Sequence, residues 1–234
     1  MSSLSWIPLE SNPAVMNKFL QNLGVPSEWE ICDIFGFGPD ELAIVPRPVA
    51  SVILLFPYND AYEKRKNEEE LKLKDKGQQV SDDIYFVKQY VHNACGTMAL
   101  IHSVANNRDK IKLNDGILKR FLDDGQNMSP SDRGEMLTKA EDMINTHREI
   151  AVEGQTAAPN PDDVPPYHFI AFVCKDGCLY ELDGGKFDPI NHGPTKPDSL
   201  LEDTVNLIQE KFVVQDPDSI YFTLLALSNV CDAY

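Results

Sequence analysis

A mixed α/β (α+β) domain, with helices packed against a sheet that contains an antiparallel hairpin, is the fold class the sequence predicts. Three observations carry it. Residues 13–23 place Val15, Met16, Phe19, Leu20 and Leu23 on one helical face. Residues 49–56 are a short continuous apolar run that reads as a buried strand. Residues 168–174 and 178–183 are two further apolar runs separated by Lys175-Asp176-Gly177, a hairpin turn in which glycine supplies positive φ. At 234 residues and 42% hydrophobic composition the chain is long enough for one domain with a sizeable core, so residues 1–234 are read as a single domain.

Each element has a local reason. Asn12-Pro13 opens the first helix and Gly24 ends it. After the strand at 49–56, residues 63–76 are crowded with Lys and Glu at spacings such as Glu68 to Lys72 and Glu70 to Lys74. That pattern predicts a solvated helix stabilised by i,i+4 pairs, a face and not a site. Residues 98–105 are apolar nearly all round, so a helix opening near Cys95, with Asn93 as its N-cap, is buried. Two helices follow, one around residues 117–122 and one after Ser129-Pro130, where Ser129 and Asp132 approximate a capping box. Residues 147–166 hold Gly154, Pro159, Pro161, Pro165 and Pro166 with almost no apolar periodicity, and read as a loop of about twenty residues, a length usually functional or mobile. The hairpin strands, a turn at Asn191-His192-Gly193, a helix over 199–212 and a last strand over 220–227 complete the chain.

Composition narrows the function. The 37 acidic against 21 basic residues give a formal charge of −16, a field that repels nucleic acid and anionic membrane surfaces and favours a basic partner. Five cysteines, an odd number without regular spacing, argue against a disulfide framework and for a reducing compartment. Cys174 and Cys178 flank the hairpin turn, but no second ligand pair follows, so no metal or other cofactor is expected. The first residues lack the basic and apolar regions of a signal peptide, and no apolar run approaches transmembrane length. The cytoplasm is the expected location, with the nucleus as a second compartment.

Cys95 stands where a loop turns into a helix, and a thiol at the positive end of a helix dipole can be held as the thiolate that attacks carbonyls. Free cysteine is also a common small core hydrophobe, so a base has to decide between the two readings. Of the five histidines, His102 lies two turns along the same helix, about 10 Å off, and reads as a core or edge residue. His92, His147 (in a polar helix end) and His192 have no neighbour in sequence to orient them. His168 opens one hairpin strand and Asp183 closes the other, so folding the hairpin brings them together. The carboxylate would accept the Nδ1 proton and leave Nε2 to face a thiol. A strand-end salt bridge is the plainer alternative.

Asn93-Ala94-Cys95-Gly96-Thr97, Tyr167-His168-Phe169-Ile170-Ala171 and Tyr180-Glu181-Leu182-Asp183-Gly184 resemble segments of the ubiquitin C-terminal hydrolase family of cysteine proteases, in its short single-domain branch. The likeness extends to Pro8-Leu9-Glu10-Ser11-Asn12-Pro13, Val45-Pro46-Arg47-Pro48-Val49, Glu153-Gly154-Gln155-Thr156 and Asn191-His192-Gly193, and covers essentially the whole chain. The resemblance implies a helix-flanked, mainly antiparallel sheet with a papain-like core and a knotted backbone, and makes residues 147–166 the active-site crossover loop. It implies a thiol-dependent deubiquitinase that works through an acyl-enzyme thioester. Cys95 would be the nucleophile, His168 the general base and acid, Asp183 the residue orienting His168, and Gln89, with the Cys95 backbone N–H, the oxyanion donor. Trp6, Pro8, Leu9, Glu10, Asp33 and Ile220 match ubiquitin-contacting positions. The implied partner is ubiquitin, with a closely related ubiquitin-like modifier as a second, and the implied state is a monomer.

Loop length bears on the substrate. Twenty residues reach roughly 66 Å and enclose at most an opening of about 20 Å, whereas a folded domain of about 100 residues has a radius of gyration near 13 Å. Small adducts, esters and short peptides are therefore the expected leaving groups. A non-catalytic ubiquitin binder is disfavoured by the presence of all four catalytic residues, and a thioltransferase by the lack of a C-x-x-C motif or resolving cysteine.

Overall fold

The computed structural model describes residues 5–154, 167–215 and 219–231, and one sheet runs through them. Its strands, β1 (Trp29–Ile34), β2 (Val49–Pro57), β3 (Tyr167–Lys175), β4 (Cys178–Leu182), β5 (Ile190–Pro194) and β6 (Thr223–Asn229), lie in the order β1-β6-β2-β3-β4-β5. Every pairing in the sheet is antiparallel. The helices are α1 (Pro13–Leu23), α2 (Pro39–Ala43), α3 (Asp60–Lys76), α4 (Cys95–Ala105), α5 (Ile117–Asp124), α6 (Pro130–Leu137), α7 (Glu141–Ala151) and α8 (Leu200–Lys211).

Successive side chains on a strand point to opposite faces, so β3 sends Phe169, Ala171 and Val173 into one core and Ile170, Phe172 and Cys174 into the other. Helices α1, α4, α5 and α7 fill the first core, and α2 and α8 close the second. That double cover explains why β2 and β3 are nearly unbroken apolar runs. Phe172 is fully buried at the middle of β3; such burial contributes roughly 1.5–3 kcal/mol. The strand is thus fixed at its centre before it delivers His168 near its end.

Local chemistry sets the ends. The Asn12 side chain accepts the Ala14 N–H at 3.0 Å, and Gly24, at φ 100°, ends α1 in the left-handed region. Between β3 and β4, Asp176 (φ 48°) and Gly177 (φ 75°) make a two-residue turn of the primed type that matches strand twist. Ser129 accepts the Asp132 N–H at 3.1 Å at the start of α6.

Several expectations change. Residues 147–151 belong to α7, so the crossover segment starts after Ala151; residues 155–166 of it lie outside the described residues. Asn191-His192-Gly193 is not a turn but part of edge strand β5. The other edge strand, β1, had no sequence reading; only half its residues are buried. Ile220 precedes the last strand, which starts at Thr223. Helix α3 forms, yet among the described residues neither Glu68–Lys72 nor Glu70–Lys74 is an ion pair. Glu69 instead meets Lys186 and Lys211, and Glu70 accepts the Phe187 N–H. Its acidic face turns toward the segment after β4.

Candidate functional site

Cys95 is the first residue of α4 and lines a cleft of about 400 Å³ with Gln89, Asn93, His168, Tyr58, Tyr167 and Lys66. Helix α4 is buried along its whole length against β3 and β2, so the thiol is carried by a rigid element. Asn93 does not cap it. Its backbone is left-handed (φ 63°), and its amide donates to the Trp6 carbonyl at 3.2 Å and to Ser5 Oγ at 3.4 Å. Ala94 is the capping residue and makes no side-chain cap. Ala94 thus supplies no side chain to the first-turn N–H groups, which a helix cannot satisfy internally.

His168 and Asp183 do meet. In the β3–β4 register Ala171 pairs with Leu182, so Asp183 stands level with Ile170 and shares a face with His168, beyond the end of the ladder. His168 Nε2 lies 2.8 Å from Asp183 Oδ1. The nitrogen assignment expected from the sequence is thus reversed: Asp183 takes Nε2, leaving Nδ1 as the ring nitrogen open to the cleft that Cys95 also lines. The reason is the direction of approach, since Asp183 and Cys95 reach the ring from different elements, β4 and α4. Phe56 and Tyr58 stand edge-on to the ring with centroids 5.9 and 5.4 Å away.

The electrostatics follow from burial and partners. Burial opposes a charge on His168, but the Asp183 charge and hydrogen bond, with the Cys95 contact, outweigh it and raise the imidazole to about 10. Burial likewise opposes ionisation of Asp183, yet His168, Lys186 and the Gly185 N–H hold its carboxyl well below the usual range. Asp183 Oδ1 accepts the Gly185 N–H at 2.8 Å, and Oδ2 accepts the Tyr62 hydroxyl at 3.3 Å.

Gln89 lines the same cleft. Its backbone N–H donates to the Gly184 carbonyl at 3.0 Å, which ties it to the residue after Asp183. A Cβ on Gly184 would lie 3.0 Å from the Gln89 Cβ and 3.2 Å from the Val87 carbonyl, so a larger residue would crowd that approach. The side-chain amide donates one N–H to the Val91 carbonyl at 3.0 Å, and its Nε2 has a second to give.

The other expected site residues are dispersed. Trp6 (5% exposed) and Leu9 (4%) belong to the core, with the Trp6 ring centroid 4.6 Å from that of His147 and tilted 40° to it. His147 is no polar helix end: it is buried, bonded to Thr97 Oγ1 and the Ile7 carbonyl, both at 2.8 Å. Burial lowers it to about 4, so it stays neutral and staples α4 to the amino-terminal segment. Pro8, Glu10 and Asp33 are half-buried, and burial raises the Asp33 carboxyl; Ile220 is 85% exposed. Among the described residues no group of His, Cys, Asp or Glu is arranged to hold a metal ion, and no helix is long and apolar enough to cross a membrane. The larger cavity, about 800 Å³ between α5, α6 and α7, contains no cysteine or histidine.

Residues that the sequence reading left out crowd behind Asp183: Tyr62, Glu69, Glu181, Lys186 and His192. One signal was available. Tyr62 is the lone aromatic in a helix otherwise made largely of Lys and Glu, and such a residue faces protein rather than water.

Comparison with known proteins places this geometry. Residues 6–213 match the family model "Ubiquitin carboxyl-terminal hydrolase, family 1". The chain is 45% identical over 225 residues to a ubiquitin carboxyl-terminal hydrolase of Drosophila melanogaster, covering 96% of this chain and 98% of that protein. It is 42% identical over 223 residues to isozyme L1 of Homo sapiens, covering 94% and 96%. In fold it is similar to the UCH37 catalytic domain of Trichinella spiralis, solved bound to ubiquitin vinyl methyl ester, with a TM-score of 0.75 at 23% identity over 96% of this chain and 95% of that one. The chain therefore belongs to family 1 of the ubiquitin carboxyl-terminal hydrolases, the cysteine-type deubiquitinating hydrolases.

Proposed function

We propose that Cys95, His168, Asp183 and Gln89 carry out hydrolysis at the C-terminal glycine of ubiquitin, with small adducts, esters or short peptides as leaving groups. The observation that carries this is the His168 Nε2–Asp183 Oδ1 contact at 2.8 Å in the same cleft as Cys95, the first residue of α4. Cys95 Sγ attacks the glycine carbonyl carbon, forming the S–C bond, and the carbonyl oxygen takes up negative charge. The Cys95 backbone N–H and the free N–H of Gln89 Nε2 donate to that oxygen. His168, protonated at neutral pH, gives its Nδ1 proton to the leaving amine as the C–N bond breaks, and the thioester remains. A water then loses a proton to His168 and attacks the thioester, releasing the carboxylate and restoring Cys95. Asp183 holds the ring and its charge throughout.

For the partner, the exposed Ile220 and the half-buried Asp33 suit contact with ubiquitin. Ile34 pairs with Leu224, so Phe35, 74% exposed, projects from the same end of β1 and β6 that Ile220 approaches. Pro8 and Glu10 offer a second contact. Trp6 and Leu9, being buried, would act by fixing that segment. The cytoplasm, with the nucleus as a second compartment, is the proposed location. Hydrolysis of a ubiquitin C-terminal amide by the purified chain tests the reading, and no release of free ubiquitin would overturn it.

A further inference from the structure

The side of Asp183 away from His168 is built from charges that a soluble domain rarely buries. Lys186 is 3% exposed and Glu181 1%. Lys186 Nζ lies 2.6 Å from Glu181 Oε1 and 3.0 Å from Glu69 Oε2, and His192 Nε2 lies 2.9 Å from the other Glu181 oxygen. Lys211 joins from α8 through Glu69 at 3.2 Å. Glu181 and Lys186 bracket Asp183 in the chain, and the Lys186 N–H donates to the Asp183 carbonyl at 2.9 Å. The pairs thus close the turn that presents the carboxylate. Burying so many charges stabilises little by itself, because desolvation offsets the attraction.

Tyr62 adds a direct contact. Its ring is 5% exposed, packed on Phe56 at 4.6 Å and Tyr58 at 5.3 Å, and its hydroxyl donates to Asp183 Oδ2 at 3.3 Å. Burial first, then the charges of Asp183 and Glu181, keep the phenol protonated and hence a donor. Oδ1 is already shared by His168 and the Gly185 N–H, so Tyr62 is what fixes the second oxygen and with it the rotation of the carboxylate about its own bond.

We propose that Tyr62 of α3 and the Lys186–Glu181 pair are positioning residues for the reaction, setting the orientation of the Asp183 carboxylate and through it the ring of His168. The proposal rests on the assignment of Asp183 as the residue that orients His168. It makes α3, by sequence a solvated face, a working wall of the site.

The test is a double-mutant cycle on the full chain, with a ubiquitin C-terminal amide as substrate and melting temperature as the control for folding. Tyr62→Phe removes one oxygen and keeps the ring packing. It should lower kcat about three- to tenfold, with KM within about twofold and the melting temperature nearly native. The paired Glu181→Met, Lys186→Met variant removes both charges together, so neither is left unpaired, and should lower kcat by about ten- to a hundredfold. Lys186→Arg should recover part of that loss.

In an Asp183→Ala background Tyr62→Phe should have no further effect, because the group it acts through is gone. A native kcat for Tyr62→Phe, or an undiminished effect in the Asp183→Ala background, overturns the proposal. A native kcat for Asp183→Ala alone overturns the underlying assignment, which separates the two failures. Should the paired variant not fold, the Tyr62 cycle decides.

Discussion

His168 and Asp183 meet through Nε2 and Oδ1 at 2.8 Å, and that choice of nitrogen decides which face of the ring does chemistry. With Nε2 held, Nδ1 is the nitrogen that the proposed mechanism uses toward Cys95 and the leaving group. The ring thereby ties the start of β3 to the residue that follows β4.

Replacing Asp183 with Asn removes the charge that holds His168 at about 10. Burial is then opposed only by the Cys95 contact, so the imidazole should titrate well below about 10, which ring NMR signals would show. Stability should follow. A raised His168 contributes fully below about pH 6.5 and loses its contribution as pH climbs through the folded value, about 10. A lowered Asp183 contributes fully above about pH 3.9 and loses it as pH falls through its folded value. The stability gap between the native chain and Asp183→Asn should be widest from about pH 4 to 6.5 and narrow toward pH 10. Urea unfolding at several pH values reads it, and a gap at pH 10 as wide as that at about pH 5 to 6 contradicts a charged pair.

Gln89→Ala should lower kcat by about a hundredfold to a thousandfold with little change in KM, as loss of an oxyanion donor does. Steady-state kinetics on a ubiquitin amide decide it. A rise in KM at native kcat would make Gln89 a binding residue instead.

Acid should loosen the fold through two other histidines. Burial holds both His102 and His147 down to about 4, so between about pH 6.5 and 4 the unfolded chain takes up protons that the folded chain refuses. Melting temperature should fall over that interval. His147→Gln should melt lower at pH 7, having lost the Trp6 ring contact and the Thr97 and Ile7 partners, but decline less steeply with acid. Parallel slopes for the two proteins would show that His147 is not the titrating group.

Leaving-group size should be limited by chain length. With α7 running to Ala151, the connection to β3 is residues 152–166, roughly 50 Å of contour and an opening of about 16 Å at most. Folded diubiquitin should be cleaved poorly beside a small ubiquitin amide. Inserting ten flexible Gly/Ser residues after Pro159 should raise diubiquitin cleavage at a modest entropic cost. Equal kcat/KM on both substrates in the native chain would remove the size limit.

What the sequence made legible was local. The helix of Cys95, the Asp176-Gly177 turn and the His168–Asp183 approach each follow from residues within one element or one hairpin. The nitrogen facing Cys95 was not legible, because it depends on where α4 docks against β3, a contact 73 positions apart in the chain between Cys95 and His168. The two edge strands escaped for a related reason. β5 reads Ile-Asn-His-Gly-Pro, with no apolar period to announce it, and is a strand because β4 offers it hydrogen bonds. Helix α3 forms and is largely exposed as read, but its pairing was not legible, because Lys and Glu at i,i+4 spacing look alike whether they meet each other or a buried Lys186.

Covalent capture at Cys95 is the most direct measurement. Incubating the purified chain with ubiquitin carrying a C-terminal vinyl methyl ester, followed by mass spectrometry of the digest, should show one ubiquitin adduct per chain on Cys95 Sγ. Cys95→Ala should give no adduct and no turnover while still binding ubiquitin. An adduct on Cys32, Cys174, Cys178 or Cys231, or turnover persisting in purified Cys95→Ala, would contradict the assignment of Cys95 as the nucleophile.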